Sequence, residues 1–409
     1  MTTTARSLAF NALQRWRTSR GFADAILQQL LAKSDLSAPD RAFAQELFYG
    51  VLRNLTLLDF WIDCLRQGKI EAAARDILRL GLYQIFLLAT REHAAVFETV
   101  ELAPKPQRPF INAILRSALR RKKELSAHAA AQSISTQFSH PDFIIDRWQN
   151  EFGPEAAIEL CRWNNRPAPL YARINRTRIS VPDFLGDHPG SLIVAGHENF
   201  VAMPSIPSEA LARGECYMQD PSASLACRLL DPQAGDRVLD ACAAPGGKTG
   251  YLAELMENRG EIVACDRDRQ RLKLLTENMH RLKISNVHVR QHDWLRGELH
   301  SPRFDKILLD APCTNTGVMR RRVDVRWRLR PDDFKRMQKQ QMAIAPAVLP
   351  LLKPGGVFVY STCSLEREEN EDVIEQLGRE FPNLKLETVE TVLPFRDGFD
   401  GAFAARFVS

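Results

Sequence analysis

From Gly214 onward, short apolar runs alternate with amphipathic runs, and this alternation constrains the fold more than any other feature of the chain. Strand-like runs fall at Arg237–Leu239, Glu261–Cys265, Val287–Gln291, Lys306–Leu309 and Val357–Tyr360. Helix-like stretches lie between them at Thr249–Asn258, Arg267–Leu282 and Asp332–Leu352. The second of these repeats Leu272, Leu275, Met279 and Leu282 at helical spacing. The third carries Pro346 and Pro350, where kinks or breaks are expected. A last helix, Glu368–Phe381, precedes two short strand-like runs ending in Ala402–Val408. Such alternation predicts a doubly wound, mostly parallel α/β sheet over 214–409. In open sheets of this kind, ligands bind beyond the carboxyl ends of the strands.

The first strand runs into RVLDACAAPGGKT, Arg237 to Thr249, which reads as a strand, a Gly-rich turn and a helix start. A P-loop needs glycine five positions before the Gly of its GKT, and Cys242 stands there, so an ATP site is excluded. No G-x-G-x-x-G follows the strand, which disfavours NAD. Asp240, Asp266, Asp293 and Asp310 each follow a strand, and four acids on one sheet edge fit an adenosyl ligand. Cys313 (in DAPC) and Cys363 (in STCS) stand just past the fourth and fifth strands. Two thiols at neighbouring strand ends suggest a nucleophile with a helper, suited to attack on an electron-poor ring carbon.

The stretch before residue 125 reads as helix throughout. Ala9, Ala12, Leu13 and Trp16 recur at helical spacing, and Ser37-Ala38-Pro39-Asp40 is a helix-capping signal. A helix over Ala72–Ala89, apolar on most sides, is expected at the middle of a bundle. Ile111–Lys123 is a further amphipathic helix. The small, polar residues 126–136 suit a linker. Next come a helix carrying Ile144, Ile145 and Trp148, then an alternating, Arg-studded strand over Leu170–Ser180. The expected domains are 1–127, all helical; 137–213, a small α+β subdomain; and 214–409, the α/β domain.

Net charge is only +5 over 409 residues, so clustering carries the argument. Arg320, Arg321, Arg322, Arg326, Arg328, Arg330, Lys335 and Arg336 crowd one stretch, and Arg162, Arg166, Arg173, Arg176 and Arg178 form a smaller group. Two such clusters favour RNA contact. The eight cysteines include no C-x-x-C pair, so neither a metal site nor a disulfide framework is expected. No apolar run approaches the length of a membrane span, and a cytoplasmic location is expected.

DRAFAQELFYGVLR (Asp40–Arg53), LRLGLYQIFLL (Leu78–Leu88) and INAILR (Ile111–Arg116) resemble the NusB-like RNA-binding domain. CAAPGGKT, LLDAPC and STCS together resemble the Nop/Sun family of RNA cytosine-C5 methyltransferases. QDPSAS (Gln219–Ser224), RINRT (Arg173–Thr177), GVMRR (Gly317–Arg321), EEN (Glu368–Asn370) and DGFDGAF (Asp397–Phe403) agree. With the NusB-like domain in front, the chain resembles the RsmB-type branch, which acts on small-subunit (16S) ribosomal RNA.

The resemblance implies a class I methyltransferase fold with a Rossmann-like, mostly parallel seven-stranded sheet, and S-adenosylmethionine as cofactor with no metal. It places Cys242, Ala243, Ala244, Pro245, Gly246, Gly247 and Lys248 in the cofactor loop. Asp266 would take the ribose, Asp293 would lie near the adenine, and Asp310 beside methyl donor and base. Cys363 would be the nucleophile, Cys313 would help remove the ring proton or expel the first thiol, and Lys248 would support them. No obligatory protein partner is implied, and a monomer is expected. The chain departs from the family pattern at His292, where glycine is usual, and at Arg322-Val323, where His-Pro is common. The rival readings are the same chemistry on transfer RNA and a non-catalytic RNA-binding or ribosome-assembly factor. DNA methylation is disfavoured, because there the DAPC-type cysteine alone is the nucleophile.

Overall fold

The computed structural model describes residues 3–88 and 90–409. The chain divides into one unit of Met1–Pro167 with Met319–Arg328, and a second of Ala168–Val318 with Leu329–Ser409. Among the described residues, no helix is long and apolar enough to cross a membrane.

The first unit is built from helices. Ser37 caps helix Ala38–Arg53, its hydroxyl accepting from Asp40 N, with Pro39 in the first turn. Helix Ala72–Phe86 is buried on nearly every side, from Ala74 to Ile85, as its all-round apolar surface predicts. Ala89, the expected last residue of that helix, lies outside the described residues. Two glycines let its neighbours close in. A Cβ on Gly50 would lie 2.0 Å from the Tyr83 ring, and one on Gly81 would lie 2.6 Å from Leu115.

The expected linker is mostly helix, over Lys122–Ala130 and Ile134–Phe138. Its alanines are strong helix formers. Leu125 is fully buried, and its carbonyl accepts from Trp61 Nε1 at 3.1 Å.

The arginine-rich stretch 319–328 belongs to this helical unit, and much of its charge is structural rather than displayed. Arg326 is fully buried, donating to Asn165 Oδ1 (2.7 Å) and to the Asn164 carbonyl (3.1 Å), and burial pushes its pKa down to about 9. Arg320 donates to the Pro167 carbonyl at 2.7 Å and lies 4.0 Å over the Trp163 ring. Arg328 pairs with Asp324 at 2.9 Å. The expectation of RNA contact therefore fails for the buried Arg320 and Arg326. Of the Arg322-Val323 pair, where the chain departs from the family pattern, Val323 is a core residue here, whereas Arg322 is exposed.

The second unit holds two sheets. Strands β1 (Leu170–Ile174), β2 (Leu192–Val194), β3 (His197–Met203) and β4 (Cys216–Met218) form an antiparallel sheet in the order β2-β3-β1-β4. The larger sheet contains β5 (Arg237–Asp240), β6 (Glu261–Asp266), β7 (Val287–Gln291), β8 (Phe304–Asp310), β9 (Leu352–Thr362), β10 (Lys385–Val392) and β11 (Ala402–Val408). Its order is β10-β11-β9-β8-β5-β6-β7, and β11 alone runs antiparallel to its neighbours β9 and β10. This is the expected seven-stranded, mostly parallel sheet. Its direction of winding reverses at β5, so the crevice between the ends of β5 and β8 is the natural ligand position. The helix Asp333–Val348 continues through Pro346, and a 3-10 turn takes over at Leu349–Leu351, around Pro350.

Strand β1 is shorter than its alternating sequence predicts because Asn175 turns the chain. Its amide donates to the carbonyls of Gly214 and Leu282, both at 3.0 Å. Arg173 was expected at the surface or on RNA, and the structure corrects this. Its side chain is fully buried, paired with Glu254 at 2.9 Å, and its guanidinium also donates to Gln219 Oε1 and to the Gly247 carbonyl (2.8 Å). Strand alternation sends Arg173 to the inner face of β1, where the aromatic rings of Tyr217 and Tyr251 flank it. The pair thus ties the small sheet to the helix that follows the Gly-rich loop. Arg173→Met strands a buried carboxylate and is expected to cost about 3–5 kcal/mol. Adding Glu254→Leu removes the orphaned charge and recovers most of that loss. Urea denaturation of the two variants checks this; an undiminished penalty in the double variant refutes it.

Candidate active site

The site grows from the carboxyl ends of three adjacent parallel strands. Strand β5 ends at Asp240, which is fully buried; Thr249 Oγ1 donates to its Oδ2 at 2.7 Å, while its Oδ1 has no partner. Burial, followed by the nearby Asp310 charge, pushes the Asp240 carboxyl up to about 7, against the pull of Thr249. The chain then turns through residues 241–246. Ala241 N donates to the Leu308 carbonyl (2.9 Å), Ala243 N to the Cys265 carbonyl (2.8 Å), and Gly246 N back to Ala243 (2.8 Å). The Ala244–Pro245 peptide is cis. Gly246 takes φ +100°, a conformation that favours glycine, and caps the helix Gly247–Leu255. Outer hydrogen bonds hold the loop: Asn278 Nδ2 donates to the Pro245 carbonyl at 3.0 Å, and Arg271 to that of Ala244.

Asp266, at the end of β6, is buried and accepts from Ala244 N (3.2 Å) and Asp268 N (2.9 Å), so the loop is tied to the second strand end. The end of β7 lies beside it, because His292 N donates to the Asp266 carbonyl at 3.0 Å. Asp293 is partly exposed and accepts from Leu295 N at 3.1 Å. The family-atypical His292 ring packs edge-on to Trp294 (centroids 4.4 Å apart), and Trp294 Nε1 in turn donates to the Ala241 carbonyl at 2.7 Å. Cys242 sits against the core beneath the sheet, and burial together with Asp266 and Asp240 raises its thiol pKa well above the usual range.

At the end of β8, Asp310 accepts from Lys248 Nζ at 2.7 Å and from Ser361 Oγ at 3.1 Å. Burial alone would lower the Lys248 pKa, but the Asp310 carboxylate outweighs it and the ammonium is held charged. Strands β8 and β9 pair in parallel with Asp310 opposite Ser361. Each chain then runs on two or three residues to a cysteine, and the two sulfurs meet at 3.3 Å as free thiols. The hydrogen bond to Cys363, followed by burial, raises the Cys313 thiol well above its usual value. Cys363 also lies close enough to Lys248 to act on its charge.

The geometry therefore brings together Lys248, Asp310, Cys313 and Cys363, and it joins the 242–248 loop to Asp240 and Asp266. Sequence reasoning missed Asn315. This residue takes φ +62°, accepts from the Cys363 thiol at 3.3 Å and donates to the Cys313 carbonyl at 2.8 Å. The only local signal was an Asn two residues past DAPC, a residue type that tolerates positive φ. It also missed a glycine contact beneath Cys363. Gly317 N donates to the Cys363 carbonyl (3.0 Å), and a Cβ on Gly317 would come within 2.8 Å of both that oxygen and Gly401 Cα.

The raised Asp240 pKa has a stability consequence. The folded state keeps its proton to about pH 7 while the unfolded chain loses it near 4, so Asp240 destabilises the fold increasingly as pH rises between those values. Relative to the parent, Asp240→Asn should gain unfolding free energy by about 1.4 kcal/mol per pH unit from pH 5 to 7 and level off above. Urea melts of both proteins across that range test this, and a pH-independent difference rules it out.

Three family models match the chain: the NusB family over residues 3–120, the RsmF/B-like ferredoxin-like domain over 140–187, and 16S rRNA methyltransferase RsmB/F over 227–407. The chain is 33% identical to the "Probable ribosomal RNA small subunit methyltransferase B" of Bacillus subtilis, covering 97% of this chain and 94% of that protein. It is 34% identical to the ribosomal RNA small subunit methyltransferase B of Salmonella paratyphi B, covering 98% of each. The crystal structure of a methyltransferase homolog protein from Pyrococcus horikoshii superposes with a TM-score of 0.60 at 32% identity, over 68% of this chain and 97% of that one. Near-full-length identity at this level, with the methyltransferase sheet and the helical unit both in place, shows that the chain belongs to the RsmB/F family of 16S rRNA methyltransferases.

Proposed function

We propose that this protein methylates carbon 5 of a cytosine in 16S ribosomal RNA, with S-adenosylmethionine as donor and a covalent Cys363–cytosine intermediate. The observation that carries the reading is the thiol pair, 3.3 Å apart, beside the Lys248–Asp310 ion pair at one crevice. Residues 1–127 and 137–213 supply RNA binding, 214–409 supply the chemistry, and the protein acts as a cytoplasmic monomer.

The residues present fit the cofactor. Asp240 carries a buried, unpartnered carboxylate oxygen, and Asp266 and Asp310 add acceptors at the neighbouring strand ends. Lys248 pairs with Asp310 and Arg271 approaches Asp266 at 3.8 Å, two cations against three acids, so the crevice suits a ligand that brings hydroxyl and ammonium donors and positive charge. Residues 242–248 form its floor, Asp266 takes the ribose hydroxyls, and Asp293 lies towards the adenine. When bound, S-adenosylmethionine supplies an electrophilic methyl group on a sulfonium.

The target cytosine enters unpaired, as a base inside a duplex is out of reach. Cys363 is the nucleophile: its sulfur bonds to ring carbon 6, and carbon 5 becomes nucleophilic as an enamine. The Lys248 ammonium lies within electrostatic reach of the Cys363 sulfur, a charge suited to an attacking sulfur anion. Asp310 holds that ammonium in place. After carbon 5 is methylated, its proton is removed with the help of Cys313; the bond to Cys363 breaks and the carbon 5–carbon 6 double bond returns. The protein's main contribution is alignment of base, thiol and donor.

Bisulfite mapping of 16S rRNA from cells with and without the protein identifies the modified cytosine; an unchanged map overturns the reading. Cys363→Ala is expected to abolish methyl transfer to RNA. Cys313→Ala should form the adduct and release it slowly, so that a protein–RNA species accumulates on denaturing gels. Continued turnover without any adduct would reverse the roles given to the two thiols.

A further inference from the structure

The EEN segment, Glu368–Asn370, has no part in the chemistry above, yet its middle residue reaches both cysteine loops. Glu369 is fully buried. Its Oε2 accepts from Thr314 N (2.9 Å) and Gln341 Nε2 (3.0 Å). Its Oε1 accepts from Ser364 Oγ (2.7 Å) and from the Thr314 hydroxyl. Thr314 follows Cys313, and Ser364 follows Cys363. One carboxylate therefore bridges the residues immediately after the two thiols. Thr314 Oγ1 and Ser364 Oγ also lie 3.2 Å apart, which closes a triangle beneath the sulfurs. Burial raises the Glu369 pKa, while four donors and no acceptor around the group favour its ionised form. Asn370 extends the brace: Thr362 Oγ1 donates to its Oδ1 (2.6 Å), and its Nδ2 donates to the Ser364 carbonyl (2.9 Å).

We propose that Glu369 is a positioning residue that clamps the loops after β8 and β9 and so sets the separation of the Cys313 and Cys363 sulfurs. The proposal rests on the thiol chemistry given above. Without the clamp, the loops keep the Asn315 and Gly317 contacts to Cys363 but lose the bridge between the residues that follow the two thiols, and a misplacement of about 1 Å costs a reaction roughly a hundredfold. Glutamine can keep the clamp. Its oxygen can face Thr314 N and Gln341 Nε2, and its NH2 can donate to the Thr314 and Ser364 hydroxyls, which accept as readily as they donate. Alanine cannot.

Phenylarsine oxide reads the sulfur separation without reference to methyl transfer. It condenses with two adjacent thiols, releasing water and forming two As–S bonds, and Cys313→Ala serves as the blank. Glu369→Ala should lose bridging and, in a Cys313→Ala background, form the RNA adduct about a hundredfold more slowly. The substrate for that assay is 16S rRNA from cells lacking the protein. Methylation kcat should fall with it, while KM for RNA stays within about threefold, and Glu369→Gln should restore both readouts. A residue needed only for stability would move the melting temperature and leave bridging in the folded fraction intact. If Glu369→Ala does not fold, Ser364→Ala, which removes the one hydroxyl that the loop after β9 gives to the clamp, takes its place and should slow bridging. Parent-like bridging and adduct formation in the folded variant overturn the proposal. Glu369-dependent bridging in a protein that leaves 16S rRNA unmethylated would instead keep the clamp and reject the function.

Discussion

Parallel pairing of β8 with β9, with Asp310 set against Ser361, is the constraint on which the site depends. Neighbouring strands lie about 4.8 Å apart, and in a parallel pair both emerge at the same sheet edge. Each chain needs only a few residues beyond that edge to bring a thiol to the other. Strand β5, on the far side of β8, then delivers the Gly-rich loop and Lys248 to Asp310. A one-residue slip between β8 and β9 would turn their side chains to opposite faces and separate the sulfurs. Register is therefore a catalytic variable here as well as a folding one.

Support for that edge is largely polar and buried. Asp240, Glu369, Asn370 and Arg173 all lie out of solvent, where an unpaired polar group is costly. Glu369, Asn370 and Arg173 have partners throughout, and those partners link segments far apart in sequence: Arg173 to Glu254, Glu369 to Thr314. Asp240 differs, since one of its oxygens lacks a partner. The contrast separates groups that hold the frame from one whose hydrogen bonding is left incomplete.

Much of this frame was legible in the chain. Period-2 and period-3.6 apolar patterns placed β5 to β9 and the helices between them to within a few residues, because each buries a continuous apolar face. Strand-end acids and cysteines were legible for the same reason: once the strands are placed, the residues after them are placed too. What could not be read was the destination of long polar side chains. Arg320, Arg326 and Arg173 look like RNA contacts by composition, and the structure spends them on carbonyls, aromatic rings and Glu254. Charge clustering reports where cations occur along the chain, whereas burial depends on which non-local surfaces meet. Residues 126–136 failed for a related reason, since Ala-rich sequence is as compatible with a helix as with a linker until Leu125 finds its core.

Asn315 and Gly317 carry the argument one step further. Both lie in the loop that leads away from Cys313, and both reach Cys363 on the neighbouring strand, one through its side chain and the other through its backbone. Glycine at 317 admits the close backbone approach to Cys363 and Gly401, and asparagine at 315 tolerates the positive φ that aims its amide at both cysteines. A thiol on a free loop would sample many positions. Here its carbonyl, its thiol and the hydroxyl of the residue after it are each held by a different partner. Three restraints on two residues leave the thiol little freedom. Preorganisation of that kind suits the covalent step proposed for Cys363, in which the attacking sulfur must meet one ring carbon from one face.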